Sequence, residues 1–82
     1  MRLKANDYTP NDIIKIIREW TELTQSEFGK TIGKSHGSIK KYEQGERNFS
    51  FETFMKICKV HNIKVTLEKE NRILNSTLFF IN

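Results

Sequence analysis

The sequence predicts a mainly α fold, a compact bundle of four to five short helices with a possible C-terminal β-strand. Three observations support this prediction. Apolar residues recur at helical spacing in four segments, each preceded by Thr or Ser, which are good N-cap residues. Two of these segments are joined by only about three residues, led by a glycine. After residue 62 the apolar period changes to two, which is typical of a half-buried strand.

The first two helices have clear starting signals. Thr9 can cap a helix that begins near Pro10, where a missing N–H is tolerated. The second helix opens with Thr24 and Glu27, which have the spacing of a capping box. Gly29 is a poor helix former, so its presence predicts that another helix passes very close. The apolar stripes are formed by Ile13, Ile14, Ile16, Ile17 and Trp20 in the first helix and by Phe28 and Ile32 in the second.

The third helix follows the second after a very short joint. Gly33 ends the second helix and Ser35 caps the third, which is predicted over residues 36–44 and ends at Gly45. This arrangement is the signature of a helix-turn-helix. Ile39 and Tyr42 face inward, and the outward positions are His36, Gly37, Lys40 and Lys41. Ser50 caps a fourth helix whose apolar residues are Phe51, Phe54, Met55, Ile57, Cys58 and His61, with Asn62 as its stop.

The chain is therefore divided into residues 1–8 as an N-terminal arm, 9–63 as the helix-turn-helix domain, and 64–82 as a C-terminal strand and apolar tail. Ile63, Val65 and Leu67 alternate with polar residues and form one face of the strand. Because an unpaired strand edge is a liability, we expect it to pair with a second copy or to fold back on its own domain. The tail at 78–81 could cover the same interface or bind another protein.

Composition limits the function. A domain of 82 residues has a thin core, so we expect no enzyme with a deep pocket. Cys58 cannot form an internal disulfide and is expected in the core, which fits a reducing cytosol. His36, His61 and Cys58 lack metal-ligand spacing, so no metal or cofactor is predicted. No apolar run of signal-peptide or membrane length is found, and a soluble cytoplasmic protein is predicted.

The charge pattern favours a polyanionic partner. The net charge is +4, a mild bias by itself. From charge alone, an ordinary solvated surface and a phosphate-binding surface are equally good interpretations. The helix-turn-helix spacing favours the phosphate-binding surface. Lys41 can donate to guanine O6 and N7 or contact only phosphate. No acidic residue lies between Phe28 and Tyr42, a segment that contains Lys30, Lys34, Lys40 and Lys41.

Residues 13–63, which are 51 of the 82, resemble the lambda repressor/Cro-like (XRE-type) family of helix-turn-helix DNA-binding domains. The matching residues are specific for the family only when taken together, since each short motif alone would be weak evidence. Departures concern Gly29, where the family usually has alanine, and His36 and Gly37, where it often has Gln, Arg or Asn. The matching residues are Arg18, Leu23, 24–28, Ile32, Gly33, Ser35, 38–45, Arg47, Asn48 and 50–53.

The resemblance implies a role for individual residues. Arg18 and Glu43 match an ion pair that ties the first helix to the third, and Gln25 matches a glutamine that braces the reading helix. The residues nearest the bases would be His36, Gly37, Lys40 and Lys41. The residues contacting phosphate would be Gln25, Lys34, Ser35, Ser38, Arg47 and Asn48.

Together these features predict a sequence-specific regulator of transcription, a dimeric repressor of the phage or mobile-element type with a near-palindromic operator. The strand residues Ile63, Val65 and Leu67 would mediate dimer or partner contacts. Two reading helices would then lie about 34 Å apart, one DNA turn. The alternative is the antitoxin of a toxin–antitoxin pair, with the C-terminal segment contacting the toxin. A protein–protein adaptor would leave the acid-free lysine face unexplained.

Overall fold

The structure is a computed structural model that describes residues 1–69. A short 3-10 turn at Ala5–Asp7 precedes the helices, and the predicted mainly α bundle is confirmed. The apolar run at 78–81 lies outside the described residues. The four α-helices of the described part are α1 (Pro10–Thr21), α2 (Gln25–Thr31), α3 (His36–Gln44) and α4 (Phe51–Val60).

All four helices begin at the cap residues that the sequence predicts. The Thr9 hydroxyl accepts a hydrogen bond of 3.3 Å from the backbone N–H of Asp12 at the start of α1. The Ser50 hydroxyl accepts one of 3.0 Å from Thr53 at the start of α4. These bonds satisfy N–H groups that have no partner inside the helix. Asn62, with φ of +57°, follows α4 in the left-handed conformation predicted for its stop.

The core lies where α1, α2 and α3 meet, closed by α4. Burial of these side chains is the main stabilising contribution in a domain of this size. Cys58 is also buried, as predicted. The buried apolar cluster consists of Ile14, Ile17, Phe28, Ile32, Ile39, Tyr42 and Ile57.

Phe51, one of the apolar residues predicted for the fourth helix, does not lie in the core. Its side chain is 71% exposed, and Met55 one turn later is 39% exposed. Phe51 is the first residue of α4, and its ring lies at the edge of the core, 6.3 Å from the ring of Phe54. Helical spacing alone does not show where a helix extends past the elements it packs on.

Residues 1–69 contain no strand, so the possible C-terminal strand does not form in the part of the predicted segment that the structure describes. Ile63 packs against the core, and its N–H donates to the Cys58 carbonyl at 2.7 Å. Val65 and Leu67 are 39% and 92% exposed. A strand requires a neighbour for its backbone groups, and the described part of the chain provides none for this segment. The alternating apolar residues predicted an extended segment, but they did not show which other segment it would pair with.

His61 joins the end of α4 to α2. Its ring stacks on Phe28 with centroids 5.0 Å apart and planes at 14°. Its Nε2 lies 2.9 Å from Thr31 Oγ1, and the Thr31 hydroxyl donates to the Phe28 carbonyl. Since that hydroxyl has one hydrogen, His61 Nε2 is the donor toward Thr31. Burial lowers the pKa of His61 below its ordinary value of 6.5, so the fold favours the neutral ring.

We therefore expect the free energy of unfolding to decrease as the pH falls from 7.5 to 5.5. The unfolded chain binds a proton at His61 more readily than the folded chain does, so stability is lost as the pH falls through about 6.5. Urea unfolding at several pH values measures this. His61→Gln is the matched control, because an amide keeps a donor but does not titrate. Equal pH dependence in the two proteins would contradict the assignment to His61.

Candidate nucleic-acid interface

The joint between α2 and α3 is built from local signals that the sequence contains. The Thr24 hydroxyl accepts from the Glu27 N–H at 3.1 Å, and the Glu27 carboxylate accepts from the Thr24 N–H at 2.9 Å. These bonds lower the pKa of Glu27 and form the predicted capping box. Gly33 has φ of +71°, and Ser35 caps α3 by accepting from the Ser38 N–H at 3.1 Å. The two helices therefore meet in a helix-turn-helix.

Gly29 allows this joint to be tight. A Cβ atom at residue 29 would overlap the carbonyl oxygen of Lys34 and would lie 3.2 Å from Ile39 Cγ1. The N–H of Lys34 also donates to the Gly29 carbonyl at 2.9 Å. The predicted close approach at Gly29 is thus present, but its nearest neighbour is the backbone of the turn rather than a passing helix.

The third helix has one buried and one exposed face. Ile39 and Tyr42 are buried, and the Tyr42 ring packs edge-on against Phe49 at 5.4 Å. This packing fixes how α3 sits on the bundle. The exposed face contains all the residues predicted to read bases, which are His36, Gly37, Lys40 and Lys41.

Arg18 and Glu43 form the predicted ion pair between α1 and α3. Arg18 Nε lies 2.6 Å from Glu43 Oε2, and Nη2 donates to Oε1 at 3.0 Å. A third bond of 3.0 Å runs from Arg18 Nη1 to the carbonyl of Leu23. The Glu43 side chain is only 4% exposed, and its hydrogen bond raises the pKa of Arg18. Because two parallel hydrogen bonds join the guanidinium and the carboxylate, the contact fixes the orientation of the two side chains as well as the distance between them.

Gln25 extends this network to the start of α3. Its Nε2 donates to Glu43 Oε1 at 3.2 Å, and its Oε1 lies 3.0 Å from His36 Nε2. The position of His36 is therefore linked through Gln25 to the ion pair. An amide nitrogen has two hydrogens, so the second remains available for the phosphate contact predicted for Gln25.

A second network connects the loop after α3 to the first turn of that helix. Arg47 Nη1 donates to Ser38 Oγ at 3.1 Å, and the Ser35 hydroxyl donates to the same atom at 3.1 Å. Ser38 Oγ accepts twice, so its own hydrogen is free for another acceptor. Three residues predicted to contact phosphate are thus brought together. Asn48 is exposed in the same loop, and Lys34 is half-buried in the turn.

Comparison with protein families identifies the fold. A family model described as helix-turn-helix matches residues 14–67. The chain belongs to the helix-turn-helix family. The family predicted from the resemblance of residues 13–63 is confirmed.

Several antitoxins are among the relatives of this helix-turn-helix chain. Antitoxin PezA of Streptococcus pneumoniae is 36% identical over 63 residues, which cover 76% of this chain and 40% of PezA. Antitoxin HipB of Escherichia coli K12 is 32% identical over 63 residues, which cover 73% of this chain and 72% of HipB. The matched region of PezA is thus less than half of that protein.

A solved structure of a HipB variant in complex with the O2 20mer is also similar to this helix-turn-helix chain. The two share 27% identity with a TM-score of 0.64, covering 87% of this chain and 100% of the other. The likeness therefore extends over most of this chain.

Sequence reasoning found the residues of the helix-turn-helix surface but missed how they are connected. The bonds Gln25–His36 and Arg47–Ser38 join side chains 11 and 9 positions apart on different elements. A polar side chain at the start of both α2 and α3 is the one signal that could have suggested the first bond.

Other classes of site find little support in the described residues. No three His, Cys, Asp or Glu side chains within residues 1–69 are grouped as metal ligands would be. Burial raises the pKa of the Cys58 thiol, which disfavours a reactive thiolate. Within the same residues no helix is long and apolar enough to cross a membrane.

Proposed function

We propose that this chain is a sequence-specific double-stranded DNA-binding regulator of transcription, a dimeric repressor that reads the major groove with α3. The observation that carries the proposal is the exposed face of α3, with His36, Lys40 and Lys41 outward and the helix braced by Gln25 and Glu43. The likeness to a HipB variant in complex with the O2 20mer supports it. No enzymatic activity is proposed.

The proposed contacts divide into two kinds. Arg47, Lys34 and Ser38 flank the reading face and have donors that suit phosphate oxygens. His36, Lys40 and Lys41 lie on the face itself, where side chains reach base edges. The first kind contributes affinity that depends on salt, and the second contributes sequence preference.

The dimer is proposed from the segment after α4. Val65 and Leu67 are exposed apolar residues on a segment without a strand partner in residues 1–69. Pairing with the same segment of a second copy would bury both side chains and satisfy the backbone. A two-fold dimer would in turn require a near-palindromic operator.

Selection from a pool of random-sequence duplexes at two salt concentrations tests the proposal. We expect a near-palindromic motif, with affinity that falls steeply as salt rises because bound cations are released from phosphates. A pool that stays random at both salt concentrations would show that α3 does not read bases.

Lys41→Ala is expected to weaken binding to the selected duplex by about 1–3 kcal/mol while leaving binding to unrelated duplexes nearly unchanged. Lysine at this position can donate to guanine O6 and N7. Titrations with labelled duplexes measure both affinities. Lys15→Ala on α1 is the matched control, because it removes the same charge from an exposed helical position. Equal losses on specific and unrelated duplexes would place Lys41 among the phosphate contacts.

A second candidate function is that of an antitoxin, which binds its own operator and a toxin protein. The antitoxins PezA and HipB among the relatives favour it. Phe51 and Leu67, at 71% and 92% exposure, supply apolar surface on elements other than the reading helix. Co-expression with the products of neighbouring genes tests this candidate. Rescue from a growth-inhibiting neighbour would support the antitoxin, and no inhibition by any neighbour would favour the plain repressor.

A further inference from the structure

The C-terminal half of α4 forms a shallow apolar groove with the segment that follows the helix. The groove has a volume of about 470 Å³ and is lined by Met55, Lys56, Cys58, Lys59 and Ile63. Cys58 is buried and forms the floor, and Ile63 packs against the core. Met55 is 39% exposed, so residues 1–69 leave the groove only partly covered.

The lining residues suit an apolar segment that contains aromatic rings. A methionine side chain adapts its shape to what it contacts, and its sulfur makes favourable contacts with aromatic rings about 5 Å away. Lysine side chains cover apolar surface with their stems while their charged ends stay in water. Lys56 and Lys59 can therefore border an occupant that carries no charge. An uncharged segment of a few residues with at least one aromatic ring matches this groove.

The sequence contains such a segment at 78–81, Leu-Phe-Phe-Ile, which lies outside the described residues. Exposing four consecutive apolar side chains to water is unfavourable, and no charged residue occurs in 73–82. Residues 64–77 connect this run to Ile63, and a chain of that length spans up to about 45 Å when extended, whereas α4 is only about 15 Å long. The run can therefore return to the groove of its own chain.

We propose that the apolar run 78–81 docks in the α4 groove of its own chain, with the ring of Phe79 or Phe80 against Met55. A segment that is covalently attached has an effective concentration on the order of millimolar at a site within its reach. This concentration favours the chain's own run over a second copy or another protein. None of the groove residues belongs to α3, so docking leaves the reading face uncovered and the inference does not rest on the proposed function.

The two methionines of the chain allow a direct test. Carbon-13 is placed in the methyl groups of the full chain, and Met1, which is 95% exposed, serves as the internal control for Met55. The comparison is with Phe79→Leu/Phe80→Leu, a variant that keeps the run apolar but removes both aromatic rings. We expect the Met55 signal to shift by more than its linewidth and the Met1 signal to stay in place, because an aromatic ring changes the magnetic field at a neighbouring methyl group. An unshifted Met55 signal would overturn the inference and leave the groove to a second copy or another protein.

A second measurement reports whether the run covers the groove. Hydrogen peroxide oxidises exposed methionines to the sulfoxide faster than covered ones, and mass spectrometry compares Met55 with Met1 in the same sample. Relative to Met1, we expect Met55 to be oxidised severalfold faster in Phe79→Ser/Phe80→Ser than in the parent chain. The matched control is Ile73→Ser/Leu74→Ser, which changes two apolar residues outside the run and should leave the ratio as in the parent. Melting curves confirm that each variant is folded, and equal ratios in all three proteins would overturn the inference.

A mixed sample distinguishes the chain's own run from that of a second copy. The labelled Phe79→Leu/Phe80→Leu variant is unfolded and refolded together with an excess of unlabelled parent chain. Docking within one chain leaves the labelled Met55 signal at its position in the variant, which is the expected result. Return of that signal to its position in the parent would overturn the proposal in favour of a second copy as the occupant.

Discussion

Replacing Glu43 by alanine is expected to lower the free energy of unfolding by about 2–4 kcal/mol, somewhat less than the loss of one partner from a fully buried ion pair, because Arg18 is partly exposed. Arg18 would keep its bond to the Leu23 carbonyl but lose both bonds to the carboxylate. Its guanidinium, whose side chain is 18% exposed, would then be only partly solvated. In a small domain this corresponds to a melting temperature lower by roughly 10 °C or more.

Two controls make this prediction specific. Glu46→Ala removes an exposed acid just after α3 and should change stability by less than about 0.5 kcal/mol. Arg18→Ala combined with Glu43→Ala should be less destabilising than the sum of the two single changes, since the residues interact directly. Urea unfolding measures all four variants. An unchanged midpoint for Glu43→Ala would mean that the ion pair contributes nothing to stability.

Much of the fold could be predicted because its signals are local. Thr9, Thr24, Ser35 and Ser50 each bond to an N–H three residues later, so a cap and its helix start lie within one turn of sequence. Gly33 and Gly45 both have positive φ at the ends that the sequence predicts. The Arg18–Glu43 pair spans 25 positions and was found only through the family resemblance.

The parts that were missed depend on how elements meet. Whether Gln25 reaches His36 depends on the angle between α2 and α3, which no short sequence pattern specifies. The exposure of Phe51 depends on where α4 extends past its neighbours. The alternation at Ile63, Val65 and Leu67 indicates an extended segment, but its partner is not in the same stretch of sequence.

Two glycines of the helix-turn-helix should respond to alanine in opposite directions. Gly29→Ala is expected to lower the free energy of unfolding by about 2–3 kcal/mol, an overpacking cost that outweighs the gain of about 1 kcal/mol in helix propensity. The added methyl group would overlap the Lys34 carbonyl oxygen, a backbone atom. That backbone is held by the bond from the Lys34 N–H to Gly29 and by the Ser35 cap, so it has little freedom to move.

Gly37→Ala is the matched control, because it makes the same chemical change inside the next helix. A Cβ atom there would meet only ordinary contact, with Ser35 Oγ at 3.9 Å. We expect the free energy of unfolding to rise by up to about 1 kcal/mol, since alanine is the better helix former. Urea unfolding of both variants measures the difference. If Gly29→Ala were as stable as the parent, the α2–α3 joint would be able to widen enough to hold an alanine side chain. The tight turn would then not determine the orientation of α3 on the bundle.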